Sequence, residues 1–468
     1  MTYQYAHTLV NEGPAHYVIP PVGTMRCPVH VWLSEELLAS AGEPVWQQAA
    51  VAASYEGVTD VHLMPDTHLG FGVPIGCVVV TEGTLLQAAA GYDISCGVLH
   101  ARIDDLHVSD IADPAVRREW IEAVEARIAS GLGSHRASKA VAVRDDIEEV
   151  LLHGAAVVVS KAELERCERP GLPVHGIDVR SISRAWDKAA VQFGSIGSGN
   201  HFIELQVDPA DGSVWVMLHC GSRGYGHQVA TDFFFRGAEL RDLPANRRET
   251  SWLRIDEPLG REYWAFHNAA ANYAVANRHV IKEAIDVASR RVLGHRATTF
   301  YEISHNLIQE ETLVLPDGST RQGFVHRKGA TRAFPAGHPQ LVGTPWEATG
   351  HPVLAPGSMY EGAAILRPLP GAHATACSVN HGSGRLLGRG EAKRSMVQSH
   401  VNKEMAGVER VFAGVTVRGI LSNCRDIPID ESRGAYKSLD AVLSVLDAAG
   451  VAAVERRLYP VANLKGMD

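Results

Sequence analysis

Cys96 stands three residues after Asp93 in the loop Gly91-Tyr92-Asp93-Ile94-Ser95-Cys96-Gly97, and Met64-Pro65-Asp66-Thr67-His68-Leu69-Gly70 lies just upstream. Three histidines occupy well-formed motifs further along: Gly199-Asn200-His201-Phe202-Ile203-Glu204, Leu218-His219-Cys220-Gly221-Ser222-Arg223 and Ile303-Ser304-His305-Asn306. One carboxylate, one thiolate and three imidazoles form a ligand set suited to one or two divalent cations, and a thiolate can bridge two. A further histidine, His381, lies in Asn380-His381-Gly382-Ser383-Gly384-Arg385, where small neighbours let a phosphate approach the backbone.

The surroundings of these residues point to anions. His219 follows the apolar run Val214–Leu218, which places it at the C-terminal end of a strand, and Gly221-Ser222-Arg223-Gly224 then makes a tight loop with an arginine. A histidine at a strand end beside a loop arginine suits a metal together with a phosphate oxygen. The loop Gly194-Ser195-Ile196-Gly197-Ser198-Gly199 can present backbone N–H groups to phosphate. On a strand, His201 and Glu204 point in different directions, which gives them different tasks. His326-Arg327-Lys328-Gly329-Ala330-Thr331-Arg332 reads as a compact basic loop, and Arg385 and Arg389 add to the same anion site. Cys77, Cys220, Cys377 and Cys424 sit among apolar or small residues and read as buried structural thiols.

These groups need elements to hold them. The first fifty residues read as an N-terminal arm with a helix around Ser34–Ala41, capped by Ser34. Val61–Met64 and Gly76–Val80 read as strands. Ala115–Ala129 and Asp145–Leu152 have helical spacing, so residues 108 to about 190 read as a mostly helical insertion, with a polar loop around Gly131–Ser138. Strands are expected at Phe202–Val207 and Val214–Leu218 around the turn Asp208–Gly212. A long helix is expected over Glu262–Val292 and another over Leu439–Ala449, with a strand-like tail to Lys465. The candidate ligands are scattered from 93 to 305, with His381 further on, so the expected fold is α+β, a single large mixed α/β domain over 1–468.

Bulk properties narrow the class. The 468 residues carry 44 Lys+Arg against 53 Asp+Glu, a net charge of -9, so a nucleic acid would be held by local arginine clusters and not by a global basic field. Seven irregularly spaced cysteines do not make a disulfide framework, and reduced thiols in the cytoplasm are the expectation. The start of the chain has no signal-peptide pattern, and no run of 18 apolar residues predicts a membrane span.

Taken in order, Met64–Gly70, Gly91–Gly97, Gly197–Glu204, His219–Gln228, His326–Pro335, Pro356–Met359 and His381–Arg385 resemble the RtcB family of RNA-splicing ligases, from about residue 60 to Lys465. The resemblance implies GTP- and manganese-dependent joining of a 2′,3′-cyclic phosphate or 3′-phosphate RNA end to a 5′-hydroxyl, in RNA repair or tRNA splicing. It implies His381 as the nucleophile that takes GMP as a phosphoramidate. Cys96 would bridge two Mn²⁺ ions, with Asp93 and His201 completing one and His219 and His305 the other. Guanylate contacts are implied for Asn200, His201, Phe202, Ile203 and Glu204. They are implied also for His305 and Asn306, for Pro356, Gly357, Ser358 and Met359, and for the His381, Gly382, Ser383 and Gly384 loop with Lys465. RNA phosphates would meet His68, Arg223, Lys328, Arg385 and Arg389. An archease-type activator is an implied partner, and a monomer or weak oligomer the implied state.

The sequence departs from the family pattern at Ser95, where Gly is usual, at Ser383, where Ala is usual, at Tyr360-Glu361, where small residues are usual, and at Ala363, where a nucleotide-contacting Ser is usual. These departures bear on nucleotide specificity. Two other functions use similar motifs: a dinuclear metal phosphoesterase that opens cyclic phosphates without joining, and a non-catalytic RNA-end binder. Retention of His381 argues against the first, and retention of every ligand against the second.

Overall fold

Two large sheets carry the fold. The computed structural model describes residues 5–130, 147–315 and 318–466, so the loop expected around Gly131–Ser138 lies outside the described residues. The first sheet has seven strands in the order Val10–Gly13, His16–Ile19, Val29–Trp32, Val58–His68, Ile75–Thr81, Thr320–Lys328, Asn306–Val314. The second has the path Ala297–Ser304, Gly97–His107, Ser213–Cys220, Phe202–Val207, Ala452–Lys465, Ala363–Pro368, Val353–Pro356, with Leu421–Ser422 beside Ala452–Lys465. Every residue of Ser213–Cys220 is buried, because strands flank it on both sides and apolar layers cover its faces. A continuous Val-Trp-Val-Met-Leu run satisfies both faces at once.

The 36-residue helix Pro258–Leu293 braces the second sheet. Proline occupies its first turn, where the missing N–H costs nothing, and Gly294 at φ 76° ends it in the left-handed region. Ile281, Ala284, Ile285 and Ala288 pack on Leu99, Ile203 and Val216 of the sheet. Tyr263, Phe266, Ala270 and Tyr273 pack with Tyr225, Val229 and Phe233 of the helix Arg223–Leu240. Over the stretch expected to be a helical insertion, the described residues form helices Pro114–Glu125, Ile147–His153, Lys161–Leu164 and Ser183–Gln192.

Two expectations need correction. The first fifty residues are not an arm. Their three short strands extend the first sheet, and Val45, Trp46 and Ala49 of the helix Glu43–Ala52 enter its core. The helix at Glu35–Ser40 is capped as expected, with Ser34 Oγ accepting from the Leu37 amide at 3.3 Å. The compact basic loop at 326–332 is a strand, a turn at Gly329 and a second short strand, Ala330–Arg332. Its charges are internally committed. Arg327 is 1% exposed and forks onto Glu311 at 2.7 and 2.8 Å. Lys328 Nζ donates to the carbonyls of Phe71 and Val73.

Many buried histidines must stay neutral for this packing. Burial pulls His326 down to about 3 and His267 to about 4. Their Nε2 atoms accept from the amides of Leu86 at 3.0 Å and Ile308 at 3.1 Å, bonds that a proton would break. Burial likewise pulls His100 down to about 4. The unfolded chain takes up protons below an ordinary histidine value of about 6.5, and the folded chain refuses them until much lower. Stability is therefore complete above that value and falls as the pH drops below it. Each such histidine removes about 1.4 kcal/mol per pH unit in that window. Thermal melts from pH 8 to pH 4 should show a steep decline beginning between pH 7 and 6; a flat profile down to pH 5 would contradict the neutral assignment.

Candidate active site

The registers of the second sheet bring distant residues into one row. Ser304 pairs with Gly97, Gly97 with Cys220, His219 with Phe202, and Phe202 with Lys465. His305 follows the first strand of this row, Cys96 precedes the second, His219 lies near the end of the third, and His201 precedes the fourth. The metal-ligand candidates are thus the residues at one end of four neighbouring strands. The turn carrying Asp93 and Cys96 is closed by Cys96 N to Asp93 O at 3.1 Å and tied to its neighbour by His305 N to Cys96 O at 2.8 Å. Gly221 is required beside it, because a Cβ there would lie 2.3 Å from Asp93 Oδ1.

Cys96 Sγ lies 3.4 Å from His201 Nε2 and 3.1 Å from His219 Nε2. Asp93 Oδ2 is 3.0 Å from His201 Nε2, and His305 Nε2 is 3.1 Å from His219 Nε2. The outer nitrogens are occupied: His201 Nδ1 donates to the Ile196 carbonyl at 3.0 Å, and His219 Nδ1 to the Asn200 carbonyl at 3.1 Å. Such backbone bonds fix the tautomer and leave the Nε2 lone pairs for a cation. Asp93 is oriented by the amide and hydroxyl of Ser222, at 3.0 and 3.3 Å.

The electrostatics fit a bound cation. Burial, with the neighbouring imidazoles, holds His219 and His305 well below the usual histidine range. Burial and the Asp93 carboxylate push the Cys96 thiol up to about 12, so a depressed thiol, as expected for a coordinated cysteine, depends on the charge of the metal. Burial opposes charge on His201, yet Cys220, Cys96 and Asp93 outweigh it and raise that imidazole well above its usual range, so a metal would take the place of its Nε2 proton. The cluster favours a positive charge at its centre.

His381 stands next to it. Its ring centroid is 4.9 Å from that of His305, in an edge-to-face arrangement. His381 Nδ1 donates to Asp66 Oδ2 at 2.5 Å, and its amide donates to the same oxygen at 3.2 Å. This leaves Nε2 as the nitrogen without a hydrogen bond among the described residues. The loop is held close to Asp66, since a Cβ on Gly384, at φ +67°, would lie 2.3 Å from the Asp66 carbonyl. His381 lines a cavity of about 250 Å³. The same cavity is lined by Glu204, Lys465 and Glu431, with Lys465 Nζ 2.8 Å from Glu431 Oε2.

The chain matches, over residues 47–466, the family model described as tRNA-splicing ligase RtcB. The chain belongs to the RtcB family. It is 34% identical to the tRNA-splicing ligase RtcB of Archaeoglobus fulgidus over 94% of this chain and 95% of that one. It is 35% identical to the RNA-splicing ligase RtcB of Mycobacterium tuberculosis over 86% of this chain and 96% of that protein. With the tRNA-splicing ligase RtcB of Thermococcus kodakarensis the identity is 34%, over 94% and 95% of the two chains.

Within this RtcB framework, the structure brings Asp93, Cys96, His201, His219 and His305 next to one another. Asn200, Phe202, Glu204, Pro356, Gly357, Ser358 and Met359 line the cavity, as do the 381–384 loop and Lys465. His201 and His305 belong to the ligand cluster instead. Ile203 is fully buried in the core beneath the sheet, because strand alternation turns it away from its neighbours Phe202 and Glu204. Asn306 is spent on structure: its Oδ1 accepts from Gly329 N at 2.8 Å. Of the anion-site candidates, His68, Arg385 and Arg389 line the cavity. Arg385 is already engaged by Glu431 at 3.2 Å and the Tyr436 hydroxyl at 3.1 Å, whereas the Arg389 side chain is 46% exposed. Arg223 packs against Gly197, where a Cβ would fall 2.0 Å from its guanidinium, and Lys328 is held as described above. Among the departures from the family pattern, Ser383 lines the cavity, with a buried Oγ that has no hydrogen-bond partner among the described residues. Tyr360 instead stacks under Arg410 and Arg433, and Ala363 is fully buried in a strand.

The sequence assigns no role to Asp66, although it lies in the Met64–Gly70 motif, and nothing in the sequence points to Glu431 or Tyr436. Only the fold brings Glu431 within reach of Lys465, Arg385 and Arg389.

Proposed function

We propose that this protein is an RNA ligase that joins 3′-phosphate or 2′,3′-cyclic phosphate ends to 5′-hydroxyl ends, using GTP and two Mn²⁺ ions. The observation that carries the reading is the meeting of a cation-binding cluster with an oriented histidine, His381, at the wall of one cavity. Asp93, Cys96, His201, His219 and His305 would hold the metal, which supplies charge that polarises a phosphate and screens what develops during phosphoryl transfer. Asp66 fixes the proton on His381 Nδ1, so Nε2 presents a lone pair. That nitrogen attacks the α-phosphorus of GTP; the N–P bond forms and the bond to pyrophosphate breaks. A 2′,3′-cyclic end is first opened by water to the 3′-phosphate; GMP then passes to that phosphate as the N–P bond breaks, and the 5′-hydroxyl attacks the RNA phosphorus and releases GMP. The exposed Arg389 suits the RNA phosphates. An Asp66–His381 pair would serve a phosphoesterase equally well as a general acid; membership of the RtcB family favours ligation, and a covalent GMP on the chain separates the two. Incubation with α-labelled GTP and Mn²⁺ followed by denaturing electrophoresis tests this directly: a labelled chain is expected, and an unlabelled one would refute it.

The substrate RNA would come from tRNA splicing or RNA repair, with an archease-type activator as partner and the cytoplasm as location. No described helix is long and apolar enough to cross a membrane.

Glu204 is assigned to the guanine edge. Burial raises its carboxyl to about 7, against the hydrogen bonds from Gln206 at 2.8 Å and Asn463 at 2.9 Å and the charge of Lys465. The N1–H and N2–H₂ donors of guanine bind the ionised form, which adenine cannot do. The KM for GTP should therefore rise by about tenfold as the pH falls from 8 to 6. Glu204→Ala should lose that dependence and weaken GTP labelling by more than about tenfold, with metal content unchanged. Equal labelling of the parent by ATP and GTP would contradict the assignment.

A further inference from the structure

Behind the metal ligands lies a buried polar cluster that none of the roles above uses. Arg278, in the helix Pro258–Leu293, is fully buried. Its Nε donates to Glu302 Oε1 at 2.7 Å. One terminal nitrogen donates to the carbonyls of Ser95 at 2.7 Å and Cys220 at 2.9 Å. The other donates to Ser304 Oγ at 3.1 Å and to Glu302. The three segments joined in this way are those that carry Cys96, His219 and His305. Ser95 adds a second link: its hydroxyl lies 2.7 Å from that of Ser304, and its amide donates to the Asn306 carbonyl at 2.6 Å. Ser95 is fully buried and holds φ at 57°, the left-handed region that residues with a Cβ rarely adopt.

We propose that Arg278, Ser304 and Ser95 form a positioning latch that sets the Cys96 thiol against the imidazoles of His201 and His219. The guanidinium is a planar fork, and it holds two ligand-bearing backbones and one hydroxyl at fixed angles, which a lysine ammonium cannot do. Glu302 balances its charge, so the fork is retained in an apolar interior. The Ser304–Ser95 bond keeps the Asp93–Cys96 turn in the left-handed geometry that aims the thiol. None of the three touches the metal; they act through the ligand loops. The latch rests on the reading of Asp93, Cys96 and the three histidines as a metal centre.

The test is Mn²⁺ titration of the full-length protein, with free Mn²⁺ read by electron paramagnetic resonance and the metal-free melting temperature measured beside it. Ser95→Gly removes the hydroxyl and relieves the left-handed backbone. It should melt at or above the parent temperature yet bind Mn²⁺ about tenfold more weakly, since ligand-orienting partners control affinity by about 10–100-fold. Ser304→Ala should weaken binding similarly, and the double variant should be no more than about twofold weaker than either single one, because both lose the same bond. Arg278→Lys should weaken binding by about 10–100-fold. Parental Mn²⁺ affinity in both serine variants would overturn the latch, and so would losses that merely follow a lowered melting temperature. A parent protein that binds no divalent ion would overturn the metal-centre reading itself, and the latch with it.

Discussion

Replacing His381 with alanine should abolish covalent labelling by α-labelled GTP while the protein still folds and still takes up metal. The prediction follows from geometry. His381 Nδ1 is bound to Asp66 and the residue lines the cavity, so in the proposed mechanism Nε2 is the nucleophilic atom. Without it the N–P bond cannot form, and a loss of more than about a thousandfold is expected, because no other side chain replaces an oriented nucleophile. The side chain is 17% exposed, so truncation opens no sealed cavity. Its main structural cost is a buried Asp66 carboxylate that loses one donor, about 1–3 kcal/mol, while the amide of residue 381 still reaches it. Ligation should vanish together with labelling. Persistent labelling of the variant would remove His381 from the mechanism.

Cys96→Ala should lose metal and labelling together. The thiol is 3% exposed, sits between His201 and His219, and lies within hydrogen-bonding distance of both. Burial holds it up to about 12 in the protein alone, so metal uptake must displace its proton, and binding should strengthen as pH rises. Removing the sulfur would leave imidazole nitrogens, each with a single lone pair, which cannot replace a thiolate that would be shared by two ions. Elemental analysis after exhaustive dialysis should find the variant depleted of the metal that the parent retains. Full metal content in the variant would refute the bridging role, whatever its activity.

How far the sequence reveals this site depends on how local each signal is. His219 at the end of its strand is legible, because the run Val214–Leu218 is apolar at every position and the histidine directly follows it. The long helix is legible from its alanine content and lack of interior proline and glycine. The row that aligns His305, Cys96, His219 and His201 is not legible, because strand registers across such separations depend on the whole fold. Asp66 lies 315 residues from His381 in the chain, and nothing near either residue announces the other. The cations at 326–332 mislead for a physical reason. A basic run is normally solvated, but here alternation on a central strand turns Arg327 onto Glu311 and Lys328 onto backbone carbonyls. Ile203 misleads in the converse way: it sits inside a functional motif, yet its side chain belongs to the core.

The polarity of end joining tests the central claim most directly. Two RNA substrate pairs should be incubated side by side with GTP and Mn²⁺, with and without an archease-type activator. One pair presents a 3′-phosphate and a 5′-hydroxyl, the other a 3′-hydroxyl and a 5′-phosphate. In the proposed mechanism His381, loaded with GMP, would pass it to a 3′-phosphate near Arg389, and the 5′-hydroxyl would then displace it. The opposite pair offers no acceptor for guanylate at the 3′ end. Joined product from the first pair alone is the expected result. Joining of only the second pair, or release of the terminal phosphate with no joined product, would contradict the account.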